Sequence, residues 1–170
     1  MSLPSKEAIA AQYHNNSVYV ILSSRGALPG FHWGIFIPSS TPYGEVWHAT
    51  NREGGWKPEK KNSGNVPFSM SLVLAHNVGH LNQESQKTCR DILDSLPADG
   101  TPSPNTGEPF DCRTWVLDAL VALQNAGVIV LTKPLQELQE SLVSDAEVHK
   151  DVVERGSGVA KVVNPSPDGN

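Results

Sequence analysis

The segment Phe110 to Ala126 constrains the fold more than any other part of this chain: it reads as a helix that is apolar nearly all round. Asp111 stands in the N-cap position, and Gly127 occupies the place where a left-handed C-cap needs a residue without a Cβ. A helix at a protein surface shows a single apolar stripe, so one with few polar positions must be covered on most sides. It is expected to be the best-buried helix of the protein. At 170 residues the chain is long enough for one domain with a substantial core and too short to make two the natural reading.

The partners for that helix are strands and two further helices. Ser17 to Ser24 is rich in β-branched and aromatic residues between Asn15-Asn16 and Arg25-Gly26, as a buried strand is. Phe31 to Ile37 follows and is stopped by Pro38, and Tyr43 to Ala49 is its hairpin partner across a Pro/Ser/Thr turn. Thr50 to Val66 has no periodicity and reads as a long loop. Phe68 to Ala75 turns continuously apolar, as a central strand does. The spacing of Cys89, Ile92, Leu93 and Leu96 predicts an amphipathic helix capped by Asn82, and Pro134 to Val153 predicts another. Between these helices Val128 to Leu131 is either a short strand or an extended exit. The fold class is α+β, an antiparallel sheet packed with helices. Residues 1–155 are expected to form the single domain, and the Gly/Ser/Pro-rich stretch 156–170 a disordered tail.

A net charge of −5 and the lack of a basic helix face exclude the usual electrostatic basis for nucleic-acid binding. There is no stretch of about eighteen apolar residues and no basic patch followed by an apolar run at the start, so a stable membrane anchor is not expected and the chain reads as cytoplasmic. The two cysteines, Cys89 and Cys112, are too few for a disulfide framework and wrongly spaced for a metal knuckle. His76 and His80 have metal-like spacing but sit at the end of a strand, so neither a metal nor a cofactor is expected. The sequence leaves the oligomeric state open.

Chemistry concentrates on one cysteine. Cys112 falls in the first turn after the Asp111 cap, where free N–H groups and the helix dipole favour a thiolate; Arg113 adds to that effect and Asp111 opposes it. Cys89 lies on the apolar face of its helix and reads as structural. In the second strand alternation puts Phe31, Trp33, Ile35 and Ile37 on one side and His32, Gly34 and Phe36 on the other, with Gly34 leaving room for a helix to approach. His48, on the hairpin partner, comes near His32 across the strands. A helix-capped thiol with two strand histidines is sufficient for acyl transfer through a thioester.

The runs Phe31-His-Trp-Gly-Ile-Phe-Ile37, Val46-Trp-His48 and Asp111-Cys-Arg-Thr-Trp-Val116 resemble the circularly permuted papain-like proteins of the lecithin:retinol acyltransferase type. In that group a His-Trp strand comes first, a second histidine follows on the next strand, and the nucleophilic cysteine opens a helix far downstream. Small fungal proteins of unassigned role are similar in layout. The resemblance covers about half the chain. It implies a permuted papain-like fold, Cys112 as nucleophile, His32 as general base and His48 as the residue that orients it. Here Asp111 replaces the Asn that precedes the cysteine, and Arg113-Thr114-Trp115 replaces the more typical Glu-His-Phe. The expected activity is that of a hydrolase or acyltransferase acting on an ester, thioester or amide. The expected partner is a small-molecule or acyl substrate, with Trp33, Trp56 and Arg113 as substrate-binding residues. The rival reading is a non-catalytic interaction module that keeps the fold and uses the Asn51 to Val66 segment as its contact surface.

Overall fold

Helix α3 (Cys112–Asn125) forms where the apolar run predicts it and is the hub of the molecule. In this computed structural model, which describes residues 2–165, Thr114, Trp115, Val116, Leu117, Ala119, Leu120 and Leu123 are all buried. At its start the Asp111 carboxylate accepts from the Thr114 N–H (2.7 Å) while Thr114 Oγ1 accepts from the Asp111 N–H (2.9 Å), a reciprocal capping box. At its end Gly127 takes a φ of 75°, and the N–H groups of Gly127 and Val128 return to Gln124 and Leu123 as in a Schellman motif. Val128 to Leu131, which opens on a bend, forms no strand.

Around α3 the chain runs α1 (Lys6–Ala10), β1 (Ser17–Ser24), β2 (Phe31–Ser40), β3 (Tyr43–Thr50), β4 (Lys57–Ser63), a 3₁₀ turn (Val66–Phe68), β5 (Leu72–His80), α2 (Gln83–Ser95), α3, α4 (Leu135–Glu154) and β6 (Lys161–Val163). The fold is α+β, with a six-stranded sheet in the order β4-β3-β2-β1-β5-β6. Every neighbouring pair is antiparallel except β5 and β6, which are parallel, so the sheet is mixed rather than purely antiparallel. The physical reason is the connection: parallel strands need a long crossover, and the three helices between β5 and β6 supply it. Residues 161–163, expected in a disordered tail, are thereby part of the sheet; residues 166–170 lie outside the described residues.

Three other expectations are corrected. The segment read as a loop from Thr50 to Val66 contains β4, whose sequence Lys-Pro-Glu-Lys-Lys-Asn-Ser lacks an apolar face because it is an edge strand, and charge with proline is how edges are kept from further pairing. β2 continues through Pro38 to Ser40, since a bulge there relieves the missing N–H and the Pro38 carbonyl accepts from the Asn16 N–H at 2.6 Å. β5 begins at Leu72 because Phe68 belongs to the 3₁₀ turn, and it runs on to His80 through a bulge against β1.

Alternation in β2 sorts the side chains as expected. Phe31, Trp33, Ile35 and Ile37 join the main core beneath α2, α3 and α4, while Phe36 joins a second cluster with Tyr19, Ile21 and Leu72, covered by Ile9 and Tyr13. No helix among the described residues is long and apolar enough to cross a membrane.

One irregularity positions the site. β1 pairs with β2 as far as Ser24 and Phe31, and β3 pairs with β4 as far as Thr50 and Lys57, yet the pairing of β2 with β3 stops at Ile35 and Trp47. The sheet therefore splits between β2 and β3 at the end where β2 begins, and the N-terminus of α3 stands at that split.

Candidate functional site

The split frees a backbone donor. The Trp33 N–H, with no partner on β3, donates instead to Cys112 Sγ at 3.5 Å, which fixes the thiol at the mouth of the gap. Cys112 opens α3, so its own N–H has no intrahelical acceptor. Around the thiol is an open cavity of about 620 Å³, whose wall includes His32, His48, Arg25, Arg52, Trp56 and Asp111.

The two histidines bridge the split. His32 Nε2 lies 2.7 Å from His48 Nδ1, with the rings at 86° and their centroids 4.9 Å apart. Gly34 makes this possible, although not by admitting a helix as its place in the sequence suggests. A Cβ there would stand 3.3 Å from the Trp47 carbonyl oxygen and 3.4 Å from His48 Cβ, so the glycine leaves space for the His48 side chain. On the far side His48 Nε2 lies 2.7 Å from Glu59 Oε1, and the other Glu59 oxygen is bound by Arg52. Glu59 sits opposite His48 in the β3–β4 register.

The hydrogen-bond chain has a direction. The hydrogen bond from His48 and the Arg52 charge hold the Glu59 carboxyl below its ordinary range, so it is an acceptor only. His48 Nε2 must then carry a proton and donate. In the neutral relay His48 Nδ1 is an acceptor, so His32 Nε2 donates to it, and the lone pair of the relay is left on His32 Nδ1. Burial, followed by the charges of His48, Arg25 and Arg52, lowers the His32 pKa to about 4. The His32 ring is thus neutral over the whole physiological range.

The thiol differs from its sequence-based expectation. Its pKa is raised above that of an ordinary cysteine, first by burial and then by the Asp111 charge, against the pull of the Trp33 N–H and Arg25. The helix start and Arg113 do not overcome the loss of water, and the resting pair is neutral thiol with neutral imidazole rather than thiolate with imidazolium.

Of the residues expected in the site, Cys112, His32, His48, Trp56 and Arg113 all line the one cavity. Trp56 stacks edge-on to Phe110 at 5.2 Å. Arg113 is committed elsewhere, bonded to Glu108 and Gln139, and clamps the connection before α3 onto α4. Trp33 reaches the cavity but is only 2% exposed; its indole belongs to the core and its contribution to the thiol is its N–H. Cys89 is fully buried, its thiol pushed up to about 11. His76 and His80 line a different cavity, and no cluster that could hold a metal occurs among the described residues.

Glu59 was not legible from the sequence, because it lies on the strand that reads as a loop. The usable signal was its place eleven residues after His48, where a second hairpin brings the two opposite each other.

Comparison with known proteins gives a family. A family of unknown function (DUF6540) matches residues 18–130, about two thirds of the chain, and the chain belongs to it. That span contains Cys112, His32, His48 and Glu59. No curated protein and no solved structure matches the chain.

Proposed function

We propose that this DUF6540 protein is a cysteine-dependent acyl-transfer enzyme of the permuted papain-like type, with Cys112 as nucleophile, His32 as general base and the His48–Glu59 pair as the device that orients the base. The observation that carries the reading is the relay itself: a carboxylate at one end orients His48, and through it His32, a neutral imidazole that shares a cavity with a thiol at a helix start.

In the proposed reaction the Cys112 proton passes to His32 Nδ1 as Sγ attacks the carbonyl carbon of an ester, thioester or amide. The carbonyl electrons move onto oxygen, where the Cys112 N–H at the start of α3 stabilises the charge. The tetrahedral species collapses, the bond to the leaving group breaks, and His32 returns the proton to that group. The acyl chain is now a thioester on Cys112. Water or an acceptor amine then gives a proton to His32 and attacks the thioester, and the thiolate recovers the proton as it leaves. Because the resting thiol is protonated, deprotonation accompanies attack instead of preceding it.

The expected outcome of incubation with p-nitrophenyl butyrate is a butyryl group on the Cys112 peptide, found by peptide mass mapping and absent in Cys112→Ala. Failure to acylate Cys112, or an adduct that survives in Cys112→Ala, refutes the reading. A second reading, a cavity that binds without reacting, is favoured by the same burial that holds the Cys112 thiol protonated, and a missing adduct would select it.

A further inference from the structure

The charge of the cavity runs against the charge of the protein. The chain carries a net −5, yet among the described residues the wall around Cys112 holds three arginines, Arg25, Arg52 and Arg113, against the one carboxylate of Asp111. Two of the arginines are already committed, Arg52 to Glu59 and Arg113 to Glu108 and Gln139. Arg25 is not. Among the described residues the one hydrogen bond of its guanidinium goes to the Pro29 carbonyl at 3.0 Å, and no carboxylate pairs with it. A guanidinium has five N–H donors in a planar fork, so most of its bonding capacity faces outward unused.

The turn that carries Arg25 is braced from within. Gly26 and Gly30 both adopt left-handed φ values, 68° and 77°, Ser24 Oγ accepts from the Gly26 N–H at 3.1 Å, and Arg25 itself closes the turn onto Pro29. The side chain is therefore held at the rim of the cavity while staying solvent-accessible. Its charge reaches the reacting groups, since it acts on both Cys112 and His32.

Building on the acyl-transfer reading above, we infer that the preferred donors bear a carboxylate, which Arg25 receives while the scissile carbonyl lies against Cys112. A carboxylate suits a single uncommitted fork, which can hold both oxygens at once. Phosphate more commonly gathers several cations, and the other two guanidinium groups here already have partners. The site would thus favour half-esters or thioesters of dicarboxylic acids over neutral acyl chains of the same length.

The test uses two alkylating agents that differ in charge and not in mechanism. Iodoacetate and iodoacetamide each form an S–C bond with Cys112 as the C–I bond breaks, iodide leaves and the thiol proton is given up to solvent. Relative to a small neutral thiol, Cys112 is expected to favour iodoacetate over iodoacetamide by about tenfold at low salt, the gain from one attractive charge at short range. The preference should shrink in high salt, vanish in Arg25→Ala, persist in part in Arg25→Lys and reverse in Arg25→Glu. A ratio equal to that of the free thiol, or one unchanged in Arg25→Ala, overturns the inference. The readout does not depend on acyl chemistry. A raised ratio without butyrylation would refute the acyl-transfer reading and leave the anion site standing; butyrylation with an ordinary ratio would do the reverse.

Discussion

Two histidine-lined cavities lie at opposite ends of β1, and they differ in what holds the imidazoles. At one end, where His32 lies opposite Ser23, the rings are strung between a carboxylate and a thiol-bearing cavity. At the other, His80 lies opposite Ser17, with His80 Nδ1 3.4 Å from the Ser17 hydroxyl, a long contact. There His76 Nδ1 is buried with no partner among the described residues, in a cavity of about 330 Å³ that also includes His14. Histidine and a hydroxyl or thiol are present in both places. Among the described residues only the first has an acid hydrogen-bonded so as to set the tautomer, and so leaves a lone pair in a defined position.

The largest expected effect separates the two ends directly. Glutamine at position 32 keeps a donor where Nε2 stood and removes the base at Nδ1, so His32→Gln should lower acylation of Cys112 by about a thousandfold, within the usual range for a general base. His80→Gln, at the other end of β1, should change it by less than about twofold. Rates of p-nitrophenol release give both numbers. Equal losses in the two variants would mean that the cavities are one functional unit and would erase the distinction.

Glu59→Gln tests the cause of the difference. The amide offers a donor as well as an acceptor, so His48 is no longer forced to donate from Nε2, and the proton on His32 is free to shift to Nδ1. Turnover should fall by about ten- to a hundredfold, the scale at which partners of an acting histidine commonly matter. Glu59→Asp should recover part of the loss if the side chain still reaches His48. Nitrogen chemical shifts of the His32 ring provide the signature that a purely structural role would not move: the protonated nitrogen should change from Nε2 to a mixture of both.

The relay also shows where the sequence was informative. The buried α3, the alternation along β2 and the proximity of His32 to His48 follow from local pattern, because side-chain period and capping chemistry are written in neighbouring residues. Glu59 depends on β4, an edge strand whose pairing comes from its neighbour and not from its own propensity. The split between β2 and β3 has no local signature, since a ladder that ends early shows only in the register of two strands. The thiol was misjudged for a related reason: the helix start is visible in Asp111 and Cys112, but the burial that outweighs it is contributed by the tertiary structure.

The smallest expected effect is one the two ends share. Burial lowers the pKa of His32 to about 4 and also lowers that of His76, where the Lys133 and Lys161 charges assist and Asp145 opposes. An unfolded histidine titrates near its ordinary value of 6.5, so below that pH the unfolded chain binds protons that the folded chain refuses. For His32 the stabilisation from keeping the ring neutral is complete above pH 6.5 and is progressively lost as the pH falls toward about 4, and for His76 the loss runs in the same direction. The urea midpoint should therefore drop between pH 7 and pH 5, and the drop should be smaller in either His32→Gln or His76→Gln than in the parent, each variant compared with itself at the two pH values. Acylation should follow only one of the rings, with its acid limb near pH 4 and unmoved in His76→Gln, because His76 has no lone pair delivered to a nucleophile. An acid limb near pH 6.5 would show His32 titrating as an ordinary exposed histidine, and the burial that distinguishes its neutral state would have to be abandoned.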